Sequence, residues 1–118
     1  MNLTAEQVQD TSAGPDPCLV IHVREPRIDA AVAIRFKDRM RELTDQARGR
    51  VVLDLGEVEF IDSSGLGAIV SAMKQLPEGA KLELADLMPN VDRVFRLTRM
   101  DTVFAIHGSV ETACHHGC

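Results

Sequence analysis

The chain has 118 residues, the length of one compact domain, and 45% of them are hydrophobic while 26% are charged. Its net charge is −5 and no run of lysine or arginine stands out, which argues against a nucleic-acid partner because phosphate contacts need clustered cations. No apolar stretch approaches the roughly 20 residues of a membrane-spanning helix, and the start lacks a signal-peptide pattern. We therefore expect a cytoplasmic protein that does not insert into a membrane. We further expect residues 1–118 to form one domain that binds a protein partner.

Strand and helix patterns alternate from the start of the chain. Residues 1–12 are weakly patterned, and we expect an edge strand among them without assigning its first and last residues. They lead to a Gly-Pro-Asp-Pro turn at 14–17. Cys18–Val23 is a short apolar, β-branched run, which predicts a buried strand. The next segment predicts a helix that Asp29 caps and Gly49 ends, because its apolar residues recur every three or four positions. Those apolar residues are Ala33, Phe36, Met40, Leu43 and Ala47.

The second half of the chain continues this alternation. Val51–Leu55 predicts a central strand, and Val58–Ile61 continues as a short apolar segment before a polar turn. The later predicted elements are a helix with apolar residues from Leu66 to Leu76, a strand at Leu82–Ala85, a helix that Pro89 opens, a last strand at Thr102–Ile106 and a helical turn capped by Ser109. Alternating strands and helices predict an α/β layer structure. We expect 113–118 to be a flexible tail.

The polar turn Asp62-Ser63-Ser64-Gly65 is the most informative segment. Asp62 or Ser63 can accept a hydrogen bond from the first free amides of the helix that follows. Gly65 and Gly67 keep the first turn slim and leave room for another surface. A hydroxyl here lies at the positive end of the helix dipole, where an added phosphate is tolerated. Capping of the helix is by itself a sufficient explanation of this turn. Capping and phosphorylation are compatible if one serine caps the helix and the other is modified.

The stretch Val51–Gly67 resembles the signature of STAS-domain anti-sigma factor antagonists. In that family an apolar strand ending in Asp-Leu leads to Phe, an apolar residue and Asp-Ser-Ser-Gly-Leu, which stands here at Phe60–Leu66. The resemblance covers roughly residues 18–112. Its flanking matches are Ile28-Asp29, before the first helix, and Val94-Phe95, in the third helix.

The resemblance implies a fold and a site. The implied α/β STAS fold has a central mixed sheet of about four or five strands with helices packed on one side. Ser63 matches the phosphoacceptor at the start of the second helix, and Ser64 is the fallback because neighbouring hydroxyls are chemically alike. The implied partner-binding residues are Asp29, Asp62, Ser63, Ser64, Gly65 and Leu66.

Two departures from the family pattern affect the flanks of the motif. Pro26 and Arg27 stand where the family often has Gly and Glu, so we expect a differently shaped loop before the first helix. The C-terminal helix looks short or absent.

The implied function is partner switching. Unphosphorylated, the chain would bind an anti-sigma factor that is also a serine kinase, and phosphorylation of Ser63 would release it and so regulate sigma-factor-dependent transcription. A serine phosphatase is a further expected partner. The chain contributes only a hydroxyl to that chemistry, so we expect neither an enzyme nor a cofactor. The alternative is a STAS scaffold or an accessory subunit of a stress-signalling or transporter complex.

Two rival interpretations concern nucleophilic and metal chemistry. A serine hydrolase is disfavoured because the Gly-x-Ser-x-Gly elbow is absent and no histidine has a spacing that points to Ser63. The histidines are His22, His107, His115 and His116. A metal site is disfavoured because its candidate ligands crowd into the chain end without a second ligand pair. Those ligands are Cys114, His115, His116 and Cys118, whereas Cys18 is expected to be a core residue on its strand.

Overall fold

A computed structural model of the chain describes residues 1–8 and 18–115, so the turn predicted at 14–17 lies outside the described residues. The strands are β1 (Leu3–Val8), β2 (Cys18–Val23), β3 (Arg27–Ile28), β4 (Gly49–Asp54), β5 (Phe60–Ile61), β6 (Ala80–Ala85) and β7 (Ile106–His107). The helices are α1 (Ala33–Thr44), α2 (Ser63–Lys74), α3 (Pro89–Leu97) and α4 (Val110–His115), with a 3₁₀ turn at Met100–Thr102. None of the helices in these two ranges is long and apolar enough to cross a membrane.

The main sheet is mixed and has five strands in the order β1-β2-β4-β6-β7. β1 runs antiparallel to β2, and the remaining neighbours pair in parallel, with Val20 opposite Val52 and Leu53 opposite Leu84. Parallel neighbours need crossover connections, and α1 and α2 lie in two of these. β3 and β5 form a separate parallel pair in which Arg27 lies opposite Phe60. β3 connects β2 to α1, and β5 connects β4 to α2.

The two faces of the main sheet bury different cores. Along β2 and β4, Ile21 and Leu53 point to the face covered by α1, α2 and α3 and join the larger core. Val20 and Val52 point to the opposite face, where α4 covers a smaller apolar cluster. This alternation follows from the two-residue period of a strand. The predicted STAS-type α/β class is confirmed, with α4 as the helix that packs on the second face.

The start and end predicted for α1 are wrong. α1 begins after Val32, which makes no side-chain cap, because Asp29 closes a preceding turn instead. The Asp29 Oδ1 accepts from the Ala31 amide at 3.1 Å and the Asp29 carbonyl accepts from the Val32 amide at 3.1 Å. The helix stops at Thr44, and Gly49 opens β4 with a positive φ of 73°. 

The strand predicted at Thr102–Ile106 is wrong for most of its length. The Val103 and Phe104 amides both donate to the Met100 carbonyl, at 3.0 and 2.9 Å, so this segment turns and does not pair with β6. Phe104 is buried and packs edge-to-face on Phe95, with ring centroids 6.2 Å apart. Pairing with β6 begins at the Ala105 carbonyl, which accepts from the Leu84 amide at 2.9 Å, and continues at Ile106 and the residue after it. Packing of one aromatic side chain therefore overrides the β-branched pattern.

The two chain ends contain regular elements. β1 lies within the weakly patterned segment 1–12 and forms the antiparallel edge of the main sheet. The Ser109 Oγ accepts from the Thr112 amide at 3.0 Å, which confirms the predicted cap of the last helix. Within 113–118, expected as a tail, residues up to His115 belong to α4, and 116–118 lie outside the described residues.

Candidate functional site

The N-terminus of α2 presents Ser63 as its first residue. Asp62 is the N-cap, and its Oδ1 accepts a hydrogen bond from the Gly65 amide at 2.9 Å. The Asp62 carbonyl accepts from the Leu66 amide at 2.9 Å. Ser63 and Ser64 are exposed. Of the two capping candidates, Asp62 is therefore the cap, and no described residue hydrogen bonds to the Ser63 hydroxyl.

The turn between β3 and α1 lies against this helix start. The Asp62 Oδ2 accepts from the Ala30 amide at 3.3 Å, and the Asp62 amide donates to the Ile28 carbonyl at 3.4 Å. Asp29, between those two residues, pairs with the Arg27 Nε at 3.3 Å. The structure thus brings together Asp29 and Asp62, which the sequence motif places in separate segments.

Gly65 and Gly67 differ in what surrounds them. Gly65 is buried, and a Cβ built on it would lie 1.9 Å from the carbonyl oxygen of Ile28. A Cβ on Gly67 would meet nothing within 4 Å. Gly65 is therefore required by the close approach of β3 within the fold, whereas Gly67 faces open space. Leu66, also predicted to bind the partner, is half-buried and packs against the larger core.

Two large apolar side chains, one in the motif and one at the start of α1, are exposed, and the sequence patterns do not identify them as functional. Phe60 in β5 is 41% exposed and Ile34 in the first turn of α1 is 69% exposed. The Arg27 guanidinium lies 4.6 Å from the centroid of the Phe60 ring, a cation–π contact. Since Ile61 is buried, strand alternation alone would have indicated that Phe60 faces outward. We refer to the surface formed by Phe60, Asp29, Ser63 and Ser64 as the docking surface.

Two histidines weighed as a catalytic base lie on the other side of the molecule. His22 contacts Asp54 at 2.6 Å and Glu6 at 3.1 Å, all on the second face of the main sheet. His107 contacts the buried carboxylate of Glu83 at 2.7 Å on that same face. α2 packs on the opposite face, so neither ring can serve as a base for the hydroxyl at its start.

The candidate metal ligands at the chain end are described only in part. Cys114 is buried, and Cys118 and His116 lie outside the described residues. Among the residues that the structure describes, no cluster of three or more His, Cys, Asp or Glu side chains could hold a metal ion.

Loss of the Asp62 cap is expected to destabilise the fold. Asp62→Ala removes the acceptor for the Gly65 amide and the tie to Ala30, so we expect the free energy of unfolding to fall by about 1–2 kcal/mol. Urea unfolding followed by circular dichroism measures this change. Asp62→Asn is the matched control, because its side-chain oxygen can still cap. An alanine variant as stable as the wild-type chain would contradict the capping role.

The match to a family model is extensive. The model for the STAS domain matches residues 8–113. BtrV of Bordetella bronchiseptica, provisionally named an anti-sigma factor antagonist, is 32% identical over 87 residues, 73% of this chain and 75% of that protein. The chain therefore belongs to the family of STAS-domain anti-sigma factor antagonists.

One further relative agrees with this assignment, and two solved structures agree with the fold. The anti-sigma-B factor antagonist of Listeria monocytogenes is 35% identical over 81 residues, covering 67% of this chain and 70% of the relative. The structure of the antagonist SpoIIAA in its unphosphorylated form superposes with a TM-score of 0.65 at 19% identity and covers 93% of this chain and 92% of that one. The phosphorylated form of the Bacillus protein superposes with a TM-score of 0.58 at 18% identity, over 93% and 96% of the two chains. The SpoIIAA comparison supports the fold.

Proposed function

We propose that this chain binds an anti-sigma factor of the serine-kinase type when Ser63 is unmodified, and is released when Ser63 is phosphorylated. The proposal rests on the observation that the residue that caps α2 is not the residue proposed to be phosphorylated. Asp62 supplies the cap, so the exposed Ser63 hydroxyl is not needed to hold the helix. A partner kinase can therefore modify Ser63 without breaking a hydrogen bond of the described fold.

In the proposed phosphoryl transfer this chain has to supply only a hydroxyl group. The kinase supplies ATP, Mg²⁺ and the base that accepts the hydroxyl proton, and Ser63 supplies the attacking oxygen. The first amides of α2 and its dipole favour a negative group at that position, so the product phosphate is tolerated by the chain itself. SpoIIAA, whose solved structures include both phosphorylation states, matches this chain in each state. We infer that phosphorylation here also leaves the fold in place.

Release follows from charge at the docked interface. The phosphate adds about −1.5 to −2 charges next to the Asp62 carboxylate. Asp29 is compensated by Arg27 at 3.3 Å, whereas within residues 1–8 and 18–115 the only hydrogen-bond donors to the Asp62 side chain are backbone amides. An unpaired like charge in a desolvated interface costs several kcal/mol. The partner therefore loses affinity without any large movement of this chain.

We propose the exposed Phe60 side chain as the anchor of the docking surface. Interface energy concentrates in a few buried aromatic and arginine side chains, and Phe60 stacked with Arg27 has that character. We expect Phe60→Ala to weaken binding of the unphosphorylated chain by roughly 10- to 100-fold, measured by isothermal titration calorimetry. Leu97→Ala is the matched control, since Leu97 is 76% exposed at the far end of α3. Equal losses in both variants would contradict a role specific to Phe60.

Paired baits test the proposed function. Ser63→Ala and Ser63→Glu chains are used to capture proteins from lysate of the native host, and the bound proteins are identified by mass spectrometry. We expect an ATP-binding serine kinase on the alanine bait that is lost from the glutamate bait. Equal recovery of transporter subunits or of a large scaffold on both baits would retain the fold and overturn the switch.

A further inference from the structure

A pair of cysteines lies in the smaller core, away from the docking surface. α4 covers a cluster of six buried residues on the second face of the main sheet, and two of the six are cysteines. The cluster consists of Cys18, Val20, Val52, Ala85, Ala113 and Cys114. Cys18 and Cys114 are each only 4% exposed. The proposed partner switch uses neither of them.

Two parts of the fold bring the thiols together. Cys18 is the first residue of β2 and shares the second face with Val20, because side chains alternate along the strand. Cys114 lies in α4, whose last turn is held by the Arg50 Nη1, which donates to the Ala113 carbonyl at 2.6 Å. In this arrangement both side chains belong to the same small buried cluster, and the Cys114 side chain contributes to a raised pKa of the Cys18 thiol. They are thus direct neighbours although almost the whole chain separates them in sequence.

We propose that Cys18 and Cys114 form a dithiol site that closes reversibly into an intramolecular disulfide and fastens α4 to β2. The oxidant is a low-molecular-weight disulfide. The Cys114 thiol loses its proton to solvent, and its sulfur attacks the oxidant and displaces one thiolate. The Cys18 thiol loses its proton in turn, and its sulfur attacks Cys114 and displaces the second thiolate. Two protein thiols are oxidised and one small disulfide is reduced to two thiols.

The docked state of α4 protects the dithiol. Burial, and after it the neighbouring Cys114 side chain, raises the pKa of the Cys18 thiol to about 12 from its usual 9.0. Thiolate is the reactive form, so at neutral pH the Cys18 thiol reacts slowly. Burial keeps Cys114 away from the oxidant while α4 stays in place. Opening of α4, a helix of six residues, exposes Cys114 to the oxidant, and redocking returns it to Cys18. The site therefore reacts at a rate set by opening of α4.

The test uses the chain with Cys118→Ala, which removes the third thiol. The reduced protein is incubated with oxidised glutathione at pH 8, and the products are mapped by mass spectrometry without reduction. We expect the monomer to lose the mass of two hydrogen atoms, with Cys18 linked to Cys114, and its melting temperature to rise by roughly 10 °C. Dithiothreitol should reverse both changes.

Matched variants separate the cross-link from simple thiol modification. Cys18→Ala in the same background should take up one glutathione at Cys114 and show no such rise in melting temperature. A Cys118→Ala chain that yields only glutathione adducts or disulfide-linked dimers would overturn the proposal. The partner switch is unaffected by that outcome, because Ser63 lies at the start of a helix on the other face of the sheet.

Discussion

Ser63→Glu is expected to weaken binding of the anti-sigma factor roughly a hundredfold relative to Ser63→Ala, which corresponds to about 3 kcal/mol. The glutamate places a carboxylate beside Asp62 in the middle of the docking surface, whereas the alanine only removes an exposed hydroxyl. Isothermal titration calorimetry with the purified partner measures both affinities. Since Asp62 holds the helix start in either variant, the two chains should melt within a few degrees of each other.

The neighbouring serine provides a control that tests whether the position of the added charge determines the loss of affinity. Ser64 is also exposed, one residue further along α2. Ser64→Glu adds the same charge without occupying the proposed acceptor, so we expect a smaller loss of affinity than for Ser63→Glu. A larger loss at Ser64 would move the assignment to that residue. Equal, unchanged affinity in both glutamate variants would contradict control of binding by charge at this helix start.

Gly65→Ala is expected to lower the free energy of unfolding by about 3 kcal/mol. The added Cβ would lie 1.9 Å from the carbonyl oxygen and 2.7 Å from the carbonyl carbon of Ile28, and a backbone group cannot move aside as a flexible side chain can. β3 and α2 must separate to admit the methyl group. That separation also strains the hydrogen bond between the Asp62 amide and the Ile28 carbonyl. Urea unfolding measures the loss.

Gly67→Ala is the matched control in the same helix, and its effect should have the opposite sign. A Cβ on Gly67 meets nothing within 4 Å, and alanine favours helix over glycine by about 0.5–1 kcal/mol. We therefore expect Gly67→Ala to raise the free energy of unfolding by about that amount. Similar destabilisation by the two substitutions would show that the approach of β3 to α2 does not constrain Gly65.

Elements with strong local patterns could be predicted from the sequence. Cys18–Val23 forms β2 with the predicted limits, and Pro89 opens α3 as expected of proline in a first helical turn. The errors arise where a tertiary contact replaces a local one. Asp29 closes a turn beside α2 in place of capping α1, and Phe104 packs on Phe95 in place of extending a strand. Neither contact leaves a periodic signal in the sequence.

The sequence predicts which segment contains the candidate site, but it predicts less well which side chains form the surface around it. The motif indicates Asp62 and Ser63, because an acidic cap and a hydroxyl before an apolar helix are local features. It does not show whether Asp62 or Ser63 caps the helix, and the structure of the helix start is needed to identify Asp62 as the cap. Nor does it show that Phe60 stays exposed, because alternation along β5 indicates only the face to which the side chain points. Sequence patterns report a face of an element, and exposure is decided by what packs on that face.

The most direct test of the central claim is transfer of phosphate from ATP to this chain by the captured kinase, followed by mass spectrometry. The wild-type chain should gain one phosphate, mapped to Ser63, and the phosphorylated product should no longer bind the kinase. The Ser63→Ala chain should gain none while still binding. Phosphorylation of Ser63→Ala to the same stoichiometry as the wild-type chain would contradict the assignment of Ser63 as the acceptor.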